Sequence, residues 1–261
     1  MAKSQHEISP ALLVSSVVEL LGLSKHYGAR TALDGLTLSL DAGSFVALLG
    51  PNGAGKSTLF QLLTGLFRAE AGEARIAGHS IAKDAVAALR QIGVVFQQSS
   101  LDLDLSVERN LRFHADLHGL PRKLADERIA SGCKALGIEA ERERTVRELS
   151  GGTKRKVELV RALLHQPAVL LMDEASVGLD PKSRRDLLTA LRADVAARQS
   201  CVLWATHLVE EAIGADRVLV LHQGKLLADG TPAAVTAALG EYTLEAGFIA
   251  RTQTVTKGES R

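Results

Sequence analysis

The chain alternates between two hydrophobic rhythms. Residues 45–49 (FVALL), 168–172 (AVLLM) and 201–206 (CVLWAT) are apolar almost without a break. Runs of that length describe strands buried on both faces of a parallel sheet. From Val17 the pattern alternates and predicts a further strand. Helical spacing appears in residues 57–66, where Leu59, Leu62, Leu63 and Leu66 share one face. Strands separated by helices predict an α/β fold with a mainly parallel sheet.

Between about residues 98 and 148 the character changes: apolar residues recur at helical spacing among many charges, and strand runs are missing. This predicts an inserted α-helical subdomain, placed at about residues 98–157. Further on, residues 217–221 and 225–228 flank a turn at 222–224 and predict a hairpin. Thr231 and Pro232 fit the N-cap and first position of a last helix. Residues 1–12 are expected to be disordered, and residues after about 247 read as part of a short polar tail over 241–261.

Composition narrows the class. The 261 residues suffice for one large α/β domain with a small subdomain. With 46% hydrophobic residues but 3% aromatics, the core is built from Leu, Val and Ala. Lys and Arg number 31 against 30 Asp and Glu, so the basic excess of a nucleic-acid-binding protein is missing. Cys133 and Cys201 are too few for a disulfide framework and have no metal-ligand spacing, which fits a reducing cytoplasmic setting. Residues 11–23 form an apolar stretch interrupted by Glu19, with no cleavage site after it. No run approaches the ~20 apolar residues that span a bilayer, so a membrane role needs another chain.

The candidate chemistry sits at the ends of the apolar runs. Gly50-Pro51-Asn52-Gly53-Ala54-Gly55-Lys56-Ser57 fits G-x-x-x-x-G-K-[ST], between a buried strand and an amphipathic helix. Glycines let backbone N–H groups turn inward around a phosphate, and the helix adds its positive dipole end. Lys56 is placed to reach the outer phosphates and Ser57 to coordinate Mg²⁺. Asp173 and Glu174 follow the second run at a strand end beside that loop. Asp173 suits Mg²⁺, and Glu174 suits a general base polarising the attacking water. Ser150-Gly151-Gly152, after Leu149, forms a second anion-seeking helix start.

These motifs, in this order, resemble the ATP-binding cassette (ABC) family, whose signature reads Leu-Ser-Gly-Gly-Gln. The resemblance covers about residues 17–235 and places the cassette at 13–240. It implies a P-loop NTPase core of RecA-like type, an antiparallel β subdomain and the helical insertion. It implies ATP and Mg²⁺ as ligands, with residues 50–58 (Thr58 included) and Ser150, Gly151 and Gly152 on the nucleotide. Tyr27 resembles the adenine-stacking aromatic, and Gln97 the glutamine touching Mg²⁺ or the attacking water. Asp180 resembles the D-loop aspartate, while Asp180-Pro181 is also an ideal helix start. His207 resembles the switch histidine on the γ-phosphate.

Thr153 stands where the signature carries glutamine, and Lys154-Arg155-Lys156 reads as a solvated helix face. The resemblance further implies a dimer, of two copies or with a related cassette, in which each signature closes over its neighbour's ATP. Separate transmembrane permease subunits would hold it on the inner face of the cell membrane. The stretches around Gln97, Asp180 and His207 resemble exporter-type cassettes handling drugs, polysaccharides or lipids, some of which accompany quinoprotein alcohol dehydrogenases. A soluble ABC ATPase and an unrelated P-loop kinase are the competing readings. The first usually carries paired cassettes or coiled-coil insertions, which this chain lacks, and the signature argues against the second.

Overall fold

In the computed structural model, which describes residues 16–253, the three apolar runs lie side by side in one sheet. In chain order the elements begin with β1 (Ser16–Tyr27), β2 (Arg30–Asp41), β3 (Phe45–Leu49) and α1 (Lys56–Leu63). Next come β4 (Ala71–Ile76), β5 (His79–Ser80), α2 (Ala85–Arg90) and β6 (Ile92–Val95). A helical stretch follows with α3 (Val107–Leu117), α4 (Arg122–Ala135) and α5 (Gly151–Leu163), ending at β7 (Val169–Asp173). The chain continues through α6 (Pro181–Arg198), β8 (Cys201–Thr206), α7 (Val209–Ile213), β9 (Arg217–His222) and β10 (Lys225–Gly230). It closes with α8 (Pro232–Leu239) and α9 (Leu244–Gln253).

The larger sheet has the order β10-β9-β3-β8-β7-β6, parallel throughout except for the β9–β10 hairpin at its edge. Strands β3, β7 and β8 are buried at every position, which is why their sequences show no alternation. The second sheet, β2-β1-β4-β5, is antiparallel and packs against α1. Between β6 and β7 the described chain holds helices and no strand, and its core is its own: Leu101, Val107, Leu111, Ile129, Val157 and Leu164 belong to one cluster.

Four local expectations change. Helix α1 stops at Leu63 because Gly65 takes φ 70°, so Leu66 lies beyond the helix and is 63% exposed. In the hairpin, His222 completes β9, and the turn shrinks to Gln223-Gly224, both at positive φ (48° and 76°) as a tight two-residue turn demands. The polar reading after residue 247 gives way to α9, because Leu244 and Phe248, one turn apart, bury against the core cluster that holds Val235 and Leu239 of α8. The solvated reading of Arg155 also fails, as described below. The expected disorder at 1–12 lies outside the described residues.

Candidate active site

Because β3, β8 and β7 are parallel neighbours, their C-terminal ends open on one edge of the sheet, where ligands of such folds sit. The phosphate loop leaves β3 there, Asp173 and Glu174 leave β7, and His207 leaves β8. The loop's shape requires its glycines. A Cβ on Gly50 would stand 2.6 Å from the Leu221 carbonyl oxygen. Gly55, at φ 112°, would put one 2.5 Å from that of Ala32. From Gly55 the chain enters α1, whose first N–H groups face the loop.

Four side chains meet over this loop. The Lys56 ammonium, 5% exposed, donates to the carbonyl oxygens of Gly50 (2.6 Å) and Pro51 (3.2 Å) and lies 3.5 Å from Glu174 Oε1. His207 Nδ1 is 3.3 Å from that same oxygen, and Gln97 Nε2 donates to Glu174 Oε2 at 3.2 Å. Glu174 is therefore the centre of the group. Its backbone takes the left-handed conformation, φ 45°, held by the bond from its N–H to the Ala205 carbonyl. A non-glycine residue kept there marks a site where geometry outweighs strain.

Burial lowers the Lys56 pKa, while Glu174 and Asp173 work in the opposite direction. Asp173 is pushed up, first by burial and then by the neighbouring Glu174 charge, with Lys56 and a Ser57 hydrogen bond opposing. Asp173 Oδ1 is buried without a hydrogen-bond partner. An orphaned carboxylate oxygen beside the Ser57 hydroxyl is the donor set a hard dication takes, so these residues fit Mg²⁺.

A cleft of ≈ 380 Å³ runs along the loop, lined by Tyr27, Arg30, Asn52, Gly53, Ser57, Thr58, Gln97 and Glu174, with Pro51, Ala54 and Gly55 also on its wall. Tyr27 is 42% exposed, and its ring meets Phe67 edge-on with centroids 6.1 Å apart. Ser150, Gly151 and Gly152 do not line this cleft. Ser150 caps α5, accepting from the Thr153 N–H at 3.1 Å, and the Thr153 hydroxyl sits 2.8 Å from the Ser150 hydroxyl. Asp180 caps α6 alongside: its Oδ1 accepts from the N–H groups of Lys182 and Ser183. A Cβ on Gly152 would stand 2.7 Å from Ser183 Oγ. Within one chain, then, Lys56, Gln97, Glu174 and His207 come together, while the Ser150 helix tip and Asp180 form a second, separate group.

Three supporting residues escape motif reading. Arg155 is 7% exposed and donates to the carbonyls of Phe96 (2.7 Å) and Gln97 (3.1 Å) and to Glu158 (2.7 Å). Glu158, 1% exposed, accepts from the Ser100 N–H. Helix α5 thereby holds the loop that carries Gln97, which corrects the solvated reading of Arg155: its stem follows the inward face with Leu159 and Ala162. Glu211 accepts from the Trp204 indole and the Thr206 hydroxyl, which itself accepts from the Leu208 N–H and so braces the chain on either side of His207. Replacing Arg155 with Ala strands a buried carboxylate and two carbonyls. Such losses cost about 3–5 kcal/mol, and denaturant unfolding of the variant should read a drop of that size.

A family model described as ABC transporter matches residues 33–177, more than half of the chain. The chain belongs to the ABC transporter family. Daunorubicin resistance ATP-binding protein DrrA3 of Streptomyces coeruleorubidus is 34% identical to this ABC chain, over 84% of it and 69% of that protein. Nod factor export ATP-binding protein I of Ralstonia nicotianae is 36% identical, over 85% of this chain and 70% of that protein. Among solved structures, a dimeric ATP-binding cassette in a post-hydrolysis state, bound to ADP and Pi, matches with TM-score 0.75 at 25% identity, over 82% of this chain and 98% of that one. The ABC chain is thus an ATP-binding, ATP-hydrolysing subunit of the transporter class, on a P-loop NTPase fold. Among its described residues no helix is long and apolar enough to cross a membrane.

Proposed function

We propose that two copies of this chain close face to face around two ATP molecules, and that hydrolysis reopens them to drive export through separate permease subunits. The carrying observation is the split arrangement: Lys56, Gln97 and His207 converge on Glu174, while the Ser150 helix tip and Asp180 stand apart from the cleft they are suited to complete. Two-fold symmetry lets each copy lend its tip to its neighbour's nucleotide.

In this reading residues 50–58 cradle the phosphates, Lys56 neutralises the outer ones and Tyr27 stacks on adenine. Ser57, Asp173 and Gln97 hold Mg²⁺, which when bound offsets charge on the outer phosphates. Glu174 accepts the proton of the attacking water, and His207 orients the γ-phosphate. The Ser150 N-cap and the N–H groups of Gly151 and Gly152 close the far side, with Asp180 beside them. Export as the direction is supported by the likeness to a Nod factor export ATP-binding protein and by the stretches around Gln97, Asp180 and His207. The dimer is held at the cytoplasmic membrane face by its permeases.

Cysteine cross-linking tests the arrangement. Native Cys133 and Cys201 are free and buried, so introduced thiols report without competition. A chain carrying Asn52→Cys, Ser150→Cys and Glu174→Gln should form a disulfide-linked dimer on mild oxidation with ATP present and not without it. Equal cross-linking in both conditions, or none in either, refutes the shared site.

A further inference from the structure

Outside the cleft, three imidazoles meet where the helical insertion joins the sheet. His114 and His118 lie one turn apart at the end of α3, and His165 occupies the turn between α5 and β7. One ring nitrogen of each lies within 4.8 Å of the other two. The His118 and His165 rings stack with centroids 3.7 Å apart, and His114 closes the group at 4.6 and 5.8 Å. All three are half-buried.

Their protonation is readable from the geometry. His165 Nε2 stands 3.0 Å from the Ile92 carbonyl oxygen. A carbonyl only accepts, so Nε2 carries the proton and Nδ1 keeps its lone pair. That Nδ1 is buried with no hydrogen-bond partner, and so is His114 Nε2. Burial, helped by neighbouring cations and rings, holds His114 at about 3 and His165 at about 4 and also lowers His118, so the group is neutral near pH 7. Mere packing would leave two polar nitrogens unsatisfied, an arrangement native interiors avoid.

We propose that His114, His118 and His165 form a binding site for a borderline transition-metal dication, Zn²⁺ being the type. Three neutral imidazoles with a fourth position left for water are a known Zn²⁺ donor set. Zn–N distances near 2.0–2.1 Å require nitrogens about 3.3 Å apart, so the nitrogens close by up to about 1.5 Å through side-chain rotation. The Ile92 carbonyl already supplies the outer hydrogen bond that orients a ligating histidine. Arg90, Arg128 and Arg161 act electrostatically on these rings and oppose a dication, which keeps the affinity below that of thiolate zinc sites. Bound metal would clip the end of α3 to the turn between α5 and β7, whose His165 is itself tied to Ile92 at the start of β6, the strand that leads to Gln97.

The test uses the full chain without an affinity tag, stripped with chelator, in buffer holding excess Mg²⁺ to occupy the carboxylate sites. Zn²⁺ is titrated calorimetrically, and Co²⁺ serves as the spectroscopic probe. One equivalent should bind, with visible Co²⁺ bands of a nitrogen-rich, four-coordinate site. His118→Ala and His114→Gln should each weaken binding at least about 100-fold, beyond what loss of an outer-shell partner does. His118 ends α3 half-exposed and tolerates truncation; thermal unfolding confirms that both variants fold. A wild-type chain that binds no Zn²⁺, or binding that survives in both variants, overturns the site.

Discussion

Glu174→Gln should lower ATP turnover by about 10²–10⁴-fold, the span general-base catalysis contributes, while ATP binding persists. Glutamine keeps the size of the side chain and still accepts from Gln97, and the left-handed backbone remains tied to Ala205. What disappears is the basic oxygen 3.3 Å from His207 and 3.5 Å from Lys56. With hydrolysis stalled, the ATP-bound dimer should accumulate. Phosphate release measures the first effect, and sizing with light scattering in ATP measures the second. Turnover within tenfold of the parent would remove Glu174 from the role of base, and a monomer at saturating ATP would overturn the shared site.

Lys56→Ala should lose about 10²–10³-fold in turnover, as for removal of one preorganised donor to developing charge, and should weaken ATP binding as well. The ammonium now joins the Gly50 and Pro51 carbonyls to Glu174, so deleting it also takes one of three partners from a carboxylate that is little exposed. Lys56→Met separates the effects. It keeps the apolar stem and loses the charge, so turnover should fall as far as in the alanine variant while thermal stability recovers in part. Full activity in the methionine variant would show that the stem, and not the charge, matters.

The sheet and the phosphate loop were legible because their determinants are contiguous. An unbroken run such as FVALL can be satisfied only by burial on both faces, and the loop's glycines and lysine act within eight residues of one another. The convergence on Glu174 was half-legible: strand ends predict a shared edge, but the hydrogen bond from Gln97 is set by α5, through Arg155 and Glu158. Nothing in Lys-Arg-Lys distinguishes the middle residue until the angle of α5 about its own axis is known. Glu211 was hidden likewise, since its partners Trp204 and Thr206 are recognisable only once β8 and α7 pack together. The end of α1 misled for a local reason: Leu66 keeps the helical spacing although Gly65 has already turned the chain. His114 and His118 keep the one-turn spacing of a helix face, but His165 lies beyond α5, and topology alone brings it to them.

One helix carries both the Ser150 tip and the grip on residues 96–100. Its 13 residues make a rod of about 20 Å at 1.5 Å per residue, too stiff to bend under the forces a loop exerts. Any displacement of Gln97 toward a newly bound nucleotide must therefore either tear buried bonds or swing the rod. In the proposed dimer, such a rod couples the loop carrying Gln97, gripped along its side, to the Ser150 tip that faces the neighbouring copy.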